Sequence, residues 1–360
     1  MQQPSPATGA PPVVAVLTGD VEPSGMADVE RRADVRYVRE SGLAAAVAEA
    51  DIVFMWDFLS GALAAAWPAG DDGARTPRWV HIASAGVDKV TFRGLTESDT
   101  VLTNSRGVFD EPIAEYVLGL VLSFAKDLHG TVRLQAERRW RHRETERITG
   151  KRVLVVGTGP IGRAIARRLS AAGLRVSGAG RTARTGDADF GTVHATADLA
   201  AALAAADYVV LAAPLTPQTR GMIDAAALGR MRPSARLINV GRGSLVVQDD
   251  LVAALRDGRI AGAALDVFEE EPLPGKSPLW ELPNVIVSPH MSGDTVGWRD
   301  ELVELFADNF DRFTTGRPLR NVVDKRLGYV GSGSPAAVPP GANGKSSTDG
   351  TSVPHTDQRG

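Results

Sequence analysis

A chain of 360 residues, 43% hydrophobic and 23% charged, has ordinary globular composition and is long enough for two domains. A formal charge of -3 is too small to argue for nucleic acid, a membrane surface or a strongly charged partner, and the lack of cysteine excludes disulfide and thiolate chemistry. The N-terminus has no basic segment and no apolar run longer than Val13 to Leu17, so neither a signal peptide nor a membrane span is expected and the protein reads as cytoplasmic.

Residues 1–12, rich in Pro, Ser, Gln and Ala, read as a disordered tail. Strands are expected at Val13 to Leu17, Val35 to Arg39 and Ile52 to Trp56, with alanine-rich helical stretches between them. A fourth, Trp79 to Ile82, ends in Ala83-Ser84-Ala85-Gly86-Val87-Asp88. Val101 to Asn104 follows, and Asp110 is placed to cap a helix from Glu111 or Pro112 to about Leu128. Val153 to Val156 then run into Gly157, Gly159 and Gly162 at G-x-G-x-x-G spacing, with a helical pattern from Arg163 to Ala172. Strand, tight turn and helix in that order are what a dinucleotide needs: Gly157 for the turn, Gly159 for approach to a pyrophosphate, Gly162 for close helix packing, and Pro160 and Ile161 opening the helix whose free N–H groups favour anions. Short loops of this kind also join strands to helices with no ligand, so the flanking elements carry the argument.

Beyond the loop, Arg175 to Gly178, Tyr208 to Ala212, Leu237 to Val240, Ala263 to Val267 and Val285 to Ser288 read as buried parallel strands, and Asp249 to Asp257 as a helix closed by Gly258. From Thr295 to Thr315 a helical pattern sets Val303, Phe306, Phe310 and Phe313 on one face, a packing stripe rather than a cofactor site. Residues 328–360 turn to Gly, Ser, Pro, Thr and Asn and read as a second disordered tail.

Ligands of open parallel sheets bind beyond the carboxyl ends of the strands. Those ends offer Arg242 within Gly241-Arg242-Gly243, the run Glu269-Glu270-Glu271-Pro272 and His290 after Pro289. Each also has a plainer role: a guanidinium paired with a neighbouring carboxylate, a solvated acidic loop, a histidine bonded in a turn. Together they fit one mechanism, in which a histidine moves a proton, a carboxylate holds it and favours its charged form, and an arginine fixes an acid substrate beside a nicotinamide. The remaining histidines lack ligand spacing, so no metal is expected, and no G-x-S-x-G elbow is present. The basic run Arg138 to Arg143 is flanked by Glu137, Glu144 and Glu146 and reads as a surface or subunit-contact helix.

At this point the chain resembles the D-isomer-specific 2-hydroxyacid dehydrogenases over roughly residues 50–325. The resemblance is carried by Ala85-Gly86-Val87-Asp88, Asn104, Ala114-Glu115, the glycine loop, Pro214 to Arg220, Ile238 to Gly243, Ala264 to Phe268, Glu271-Pro272-Leu273 and Pro289-His290. It implies an α/β protein of two Rossmann- or flavodoxin-like domains, each a doubly wound parallel sheet. A cofactor domain of residues 111–291 is inserted into a substrate domain of residues 13–110 and 292–327. It assigns Arg242 to the substrate carboxylate and carbonyl, His290 to acid/base work and Glu271 to orienting His290. The Ala85 and Gly86 backbone falls to the substrate carboxylate, Asp266 to the nicotinamide amide, and Pro214, Thr219 and Val240 to the cofactor's surroundings. It also implies a homodimer formed through the cofactor domain.

Where NAD enzymes place an acidic residue, roughly 20 residues past the glycine motif, this chain has Ala179-Gly180-Arg181-Thr182-Ala183-Arg184. With no carboxylate to repel a 2′-phosphate and Arg181, Thr182 and Arg184 to bind it, NADP is expected over NAD. Trp56, with Asp57 and Phe58, and Trp298 are candidates to line the substrate pocket, for a small acid such as glyoxylate or hydroxypyruvate or an aryl 2-oxo acid. Two other readings stay open: a dinucleotide-dependent sensor or co-repressor, and a formate dehydrogenase, disfavoured because its pattern has glutamine where Glu271 stands.

Overall fold

The computed structural model describes residues 10–68 and 75–330. Five strands, β1 (Val13–Leu17), β2 (Asp34–Val38), β3 (Ile52–Met55), β4 (Trp79–Ile82) and β5 (Val101–Asn104), form a parallel sheet in the order β2-β1-β3-β4-β5. Helices α1 (Ala27–Glu30), α2 (Glu40–Glu49), α3 (Leu63–Ala66) and α4 (Arg93–Glu97) connect them. Parallel strands covered on both faces need continuous apolar runs, and β3 and β4 are buried at every position. The polar exception is His81 on β4, fully buried, whose Nδ1 lies 2.7 Å from the Thr103 hydroxyl. Burial pushes its pKa down to about 3, so it is a neutral core residue.

Helix α5 (Asp110–Ala125) leaves this sheet, and α6 (Leu128–Ala136) follows it. Asp110 does not cap α5. Phe109 holds the cap position and Asp110 enters the first turn, while the chain breaks at Asp127, with φ 47°, before α6 begins. The second sheet starts with β6 (Arg152–Val156), α7 (Pro160–Ala171), β7 (Arg175–Gly180), β8 (Arg184–Asp187), β9 (Gly191–Ala195) and α8 (Leu199–Ala205). It continues through β10 (Tyr208–Leu211), α9 (Ala225–Arg230), β11 (Arg236–Asn239), α10 (Gln248–Arg256), β12 (Gly262–Leu265) and β13 (Val285–Val287). Its order is β13-β12-β11-β10-β6-β7-β9-β8, parallel except for β8. The doubly wound parallel architecture read from the sequence is the one the chain adopts. The antiparallel β8–β9 hairpin leaves no apolar signature in the sequence, because its strands, Arg184–Asp187 and Gly191–Ala195, are short and polar.

After β13 the chain returns to the first sheet as α11 (Trp298–Thr314), then a hairpin of β14 (Val323–Asp324) and β15 (Tyr329–Val330). The expected stripe on α11 is packing: Phe306 stacks on Phe54 at 4.0 Å and on Trp79 at 5.2 Å, and Phe313 on Trp79 at 5.5 Å. The loose tail expected from residue 328 does not begin there, since Tyr329 pairs with Asp324 and Val330 with Val323. Residues 1–9 and 331–360, the rest of the two expected tails, lie outside the described residues. One buried apolar cluster joins the two sheets, running from Val16 and Ile52 through Ile113 and Val117 of α5 to Ile165 of α7 and Ile238 of β11. Among the described residues no helix is long and apolar enough to cross a membrane, and no group of acidic and histidine side chains could hold a metal ion.

Candidate active site

In each sheet the strand order reverses once, beside β1 in the first and beside β6 in the second, and crevices open at such points beyond the carboxyl ends. The candidate residues lie there. Gly157 has φ +113°, and a Cβ on Gly162 would overlap the Gly157 carbonyl, so both glycines serve the tight β6–α7 turn. A Cβ on Gly159 would meet nothing within 4 Å, and α7 begins at Pro160 with no side chain capping it. An open helix N-terminus behind a close-packed turn fits a diphosphate. On the far wall Thr219 closes its own turn: its hydroxyl donates to the Pro214 carbonyl at 2.7 Å and accepts from the Thr216 N–H at 2.8 Å. Val240, at the end of β11, is buried and donates its N–H to the Leu211 carbonyl.

Arg242 reaches from the second sheet to the first. Its Nε donates to Asp88 Oδ1 at 2.9 Å and its Nη1 to the Gly241 carbonyl at 2.9 Å, while a Cβ on Gly86 would overlap its Nη2. Gly86 is therefore needed for close approach. Among the described residues the N–H groups of Ala85 and Gly86 donate to no protein acceptor. Two free amides beside a guanidinium make a cradle for a carboxylate. Asp88 stands inside the Ala85 to Asp88 motif, to which the resemblance assigns only backbone roles at Ala85 and Gly86. Its pairing with Arg242 spans 154 residues, so only the fold could show it.

His290 Nδ1 lies 2.7 Å from Glu271 Oε2. The other carboxylate oxygen, Oε1, accepts from the Phe268 N–H at 2.9 Å. Burial tends to raise the Glu271 pKa, but the bonds from His290 and Phe268 and the charges of His290 and Arg242 outweigh it and hold it below the ordinary glutamate value. The carboxylate is thus ionised and fixed at both oxygens. His290 itself has φ 51°, a left-handed conformation that most side chains resist.

Asp266 supports that conformation. It is fully buried, and its carboxylate accepts from Ser288 Oγ at 2.7 Å, Met291 N at 3.0 Å and Ser292 N at 2.9 Å. Its backbone carbonyl accepts from the His290 N–H at 2.8 Å. The side chain that the resemblance assigns to the nicotinamide amide accepts three hydrogen bonds from the loop that carries His290. Burial also raises the pKa of Tyr116 on α5.

At the other end of the cofactor crevice, Arg181 and Thr182 are exposed just past β7. Arg184 is not a free cation: it pairs with Asp187 at 2.8 Å, which also binds Arg163 at 3.0 Å, and Arg163 pairs with Asp189 at 2.6 Å. A carboxylate absent from the sequence window is thereby supplied by β8. Trp56 is buried, with its indole N–H on the Val21 carbonyl at 2.8 Å, and Trp298 packs near Phe58 at 6.1 Å and Phe109 at 6.0 Å. Both tryptophans line one surface groove with Val21 and Asp294.

Two doubly wound sheets, a glycine-rich strand–helix turn in one, a bonded histidine–glutamate pair and two free amides beside a guanidinium fit a nicotinamide-dependent oxidoreductase of acid substrates. Residues 118–292 match the NAD-binding domain of the D-isomer-specific 2-hydroxyacid dehydrogenases. Glyoxylate/hydroxypyruvate reductase A of Arabidopsis thaliana is 34% identical over 66% of this chain and 75% of its own. A D-isomer-specific 2-hydroxyacid dehydrogenase of Xanthobacter autotrophicus Py2, solved with NADPH and MES, superposes with TM-score 0.73 at 31% identity, covering 89% of this chain and all of that one. The NADPH-dependent glyoxylate/hydroxypyruvate reductase of Sinorhizobium meliloti, solved with NADP and sulfate, gives TM-score 0.72 at 28% identity, over 88% and 100%. The chain belongs to the D-isomer-specific 2-hydroxyacid dehydrogenase family, oxidoreductases that act on the CH–OH group of 2-hydroxy acids with a nicotinamide dinucleotide.

Proposed function

We propose that the protein reduces a small 2-oxo acid of the glyoxylate or hydroxypyruvate type to the 2-hydroxy acid, with NADPH preferred over NADH. The observation that carries this reading is Arg242 crossing the cleft to Asp88 and Gly86 while the His290–Glu271 pair stands on the same wall. The bound cofactor supplies the hydride that adds to C2. Arg242 and the Ala85 and Gly86 amides hold the carboxylate, which fixes the carbonyl in place. His290 gives a proton from Nε2 to the carbonyl oxygen as that oxygen gains charge, and the ionised Glu271 bears on Nδ1 and orients the ring. In the oxidative direction His290 takes the same proton back.

The choice of NADPH is supported by Arg181, which among the described residues has no carboxylate within ion-pairing distance, and by the two solved relatives that carry NADPH or NADP. Arg184 is committed to Asp187 and leaves Arg181 as the main phosphate ligand, with Thr182 beside it. A small substrate is supported by Trp56, just past β3, and Trp298, at the start of α11, which set two bulky rings on one groove. A homodimer is proposed through α6 and the segment that follows it, where Leu128, Val132 and Trp140 are exposed apolar side chains at 49%, 65% and 101%.

Absorbance of NADPH and NADH followed against a panel of 2-oxo acids tests the reading. Turnover of glyoxylate or hydroxypyruvate, faster with NADPH, is the expected result. Dinucleotide binding without turnover of any acid would move the protein to the sensor class.

A further inference from the structure

At the carboxyl end of β7 the basic side chains are almost all neutralised: Arg163 by Asp187 and Asp189, Arg167 by Glu111 and Asp189, Arg184 by Asp187. Arg181 differs. Among the described residues no carboxylate lies within ion-pairing distance of it, and its guanidinium carbon sits 5.1 Å from the centre of the Tyr329 ring. That ring comes from the other unit. Tyr329 lies on β15, whose hairpin is fastened to the first sheet: Val322 bridges Thr103, Asn321 Nδ2 donates to the Asn104 and Arg106 carbonyls, and Lys325 Nζ donates to the carbonyls of Leu95 and Thr100. The Tyr329 hydroxyl is buried and, among the described residues, without a hydrogen-bond partner, so no polar contact of its own accounts for where the ring lies.

We propose that the C-terminal hairpin completes the cofactor's 2′-phosphate subsite, with Tyr329 as a positioning residue that holds Arg181 by its face. This rests on the proposed preference for NADPH. A guanidinium resting on an aromatic face keeps its N–H edges free, the edges a phosphate uses. Without the ring, Arg181 is a long exposed side chain that must be ordered when the phosphate binds. The hairpin thus ties discrimination between the two dinucleotides to a segment of the substrate-binding unit, about 150 residues along the chain from the arginine it serves.

The test is direct titration of the intact enzyme, without substrate, with NADPH and with NADH, followed by nucleotide fluorescence, for the wild type, Tyr329→Ala, Tyr329→Phe and Arg181→Ala. Tyr329→Ala is expected to weaken NADPH about two- to fivefold, the scale of a partly exposed cation–π contact, and to leave NADH unchanged. Tyr329→Phe keeps the ring and is expected to bind both as the wild type does. Unchanged NADH binding shows at the same time that the variant is folded. Equal loss of both nucleotides, or no loss, in Tyr329→Ala would overturn the inference while Arg181→Ala still abolished discrimination. If Arg181→Ala binds NADPH as the wild type does, the NADPH reading itself fails and the inference goes with it.

Discussion

The two ends of the cofactor crevice are built differently. At the reacting end, Arg242, Asp266, Glu271 and His290 are each fixed by named hydrogen bonds, and the backbone of His290 is held in a conformation it would not adopt alone. At the ribose end, Arg181 and Thr182 stand exposed, and the ring of Tyr329 lies against Arg181. The contrast separates two tasks. Rate depends on geometry set before substrate arrives, whereas cofactor choice depends on a charge that need only be available. Damage to the first end should appear in kcat and be large; damage to the second should appear in affinity and be modest.

The largest expected effect follows from His290→Asn, which removes the proposed proton donor: kcat should fall by about 10²- to 10⁴-fold with KM for the cofactor unchanged. A loss under tenfold, measured by steady-state reduction of the best 2-oxo acid, would place the proton elsewhere. Next is Asp88→Ala. Freed from its 2.9 Å partner, Arg242 loses its orientation, and kcat/KM for the acid should drop by about a hundredfold, the scale of a misplaced substrate-binding group. An unchanged value would make that ion pair incidental.

At the ribose end Arg181→Ala should raise the KM for NADPH by about tenfold or more, the worth of a charge-assisted bond, and leave NADH alone. Arg184→Ala should do little to either cofactor, since its charge already belongs to Asp187. Equal effects of the two substitutions would erase the distinction between them.

The smallest effect lies between the two units. Burial raises the pKa of Asp110, in the first turn of α5, from 3.8 to about 6. The folded protein therefore holds the proton better than the unfolded chain, and the stability this contributes is complete below about pH 4 and lost as pH rises through 6. Asp110→Asn should match the wild-type Tm near pH 4 and exceed it by about 2 °C at pH 8, a shift typical of domains of this size. Parallel melting curves at both values check the sign.

Much of the fold could be read in advance because buried parallel strands write themselves as apolar runs: Tyr208–Leu211 and Ile52–Met55 need no partner to be seen. The β8–β9 hairpin could not, because Arg184–Asp187 is polar and owes its place to Arg163. At the cofactor end the six residues Ala179 to Arg184 hold two arginines and no acid, and the fold brings Asp187 to one of them. At the reacting end the residue types at the strand ends were visible, but their supports were not. Asp88 and Ser288 act through partners distant in the chain, and a linear pattern carries no such information.

The left-handed backbone at His290 has a consequence for how such a chain would drift. A glycine or asparagine at that position would relax the turn, and the four hydrogen bonds from Ser288, Met291, Ser292 and His290 to Asp266 would no longer work against strain. Selection for turnover and the preference of the polypeptide pull in opposite directions at this one residue. A descendant that kept the nucleotide crevice but had no acid to reduce would be expected to lose the imidazole early and to melt higher for it.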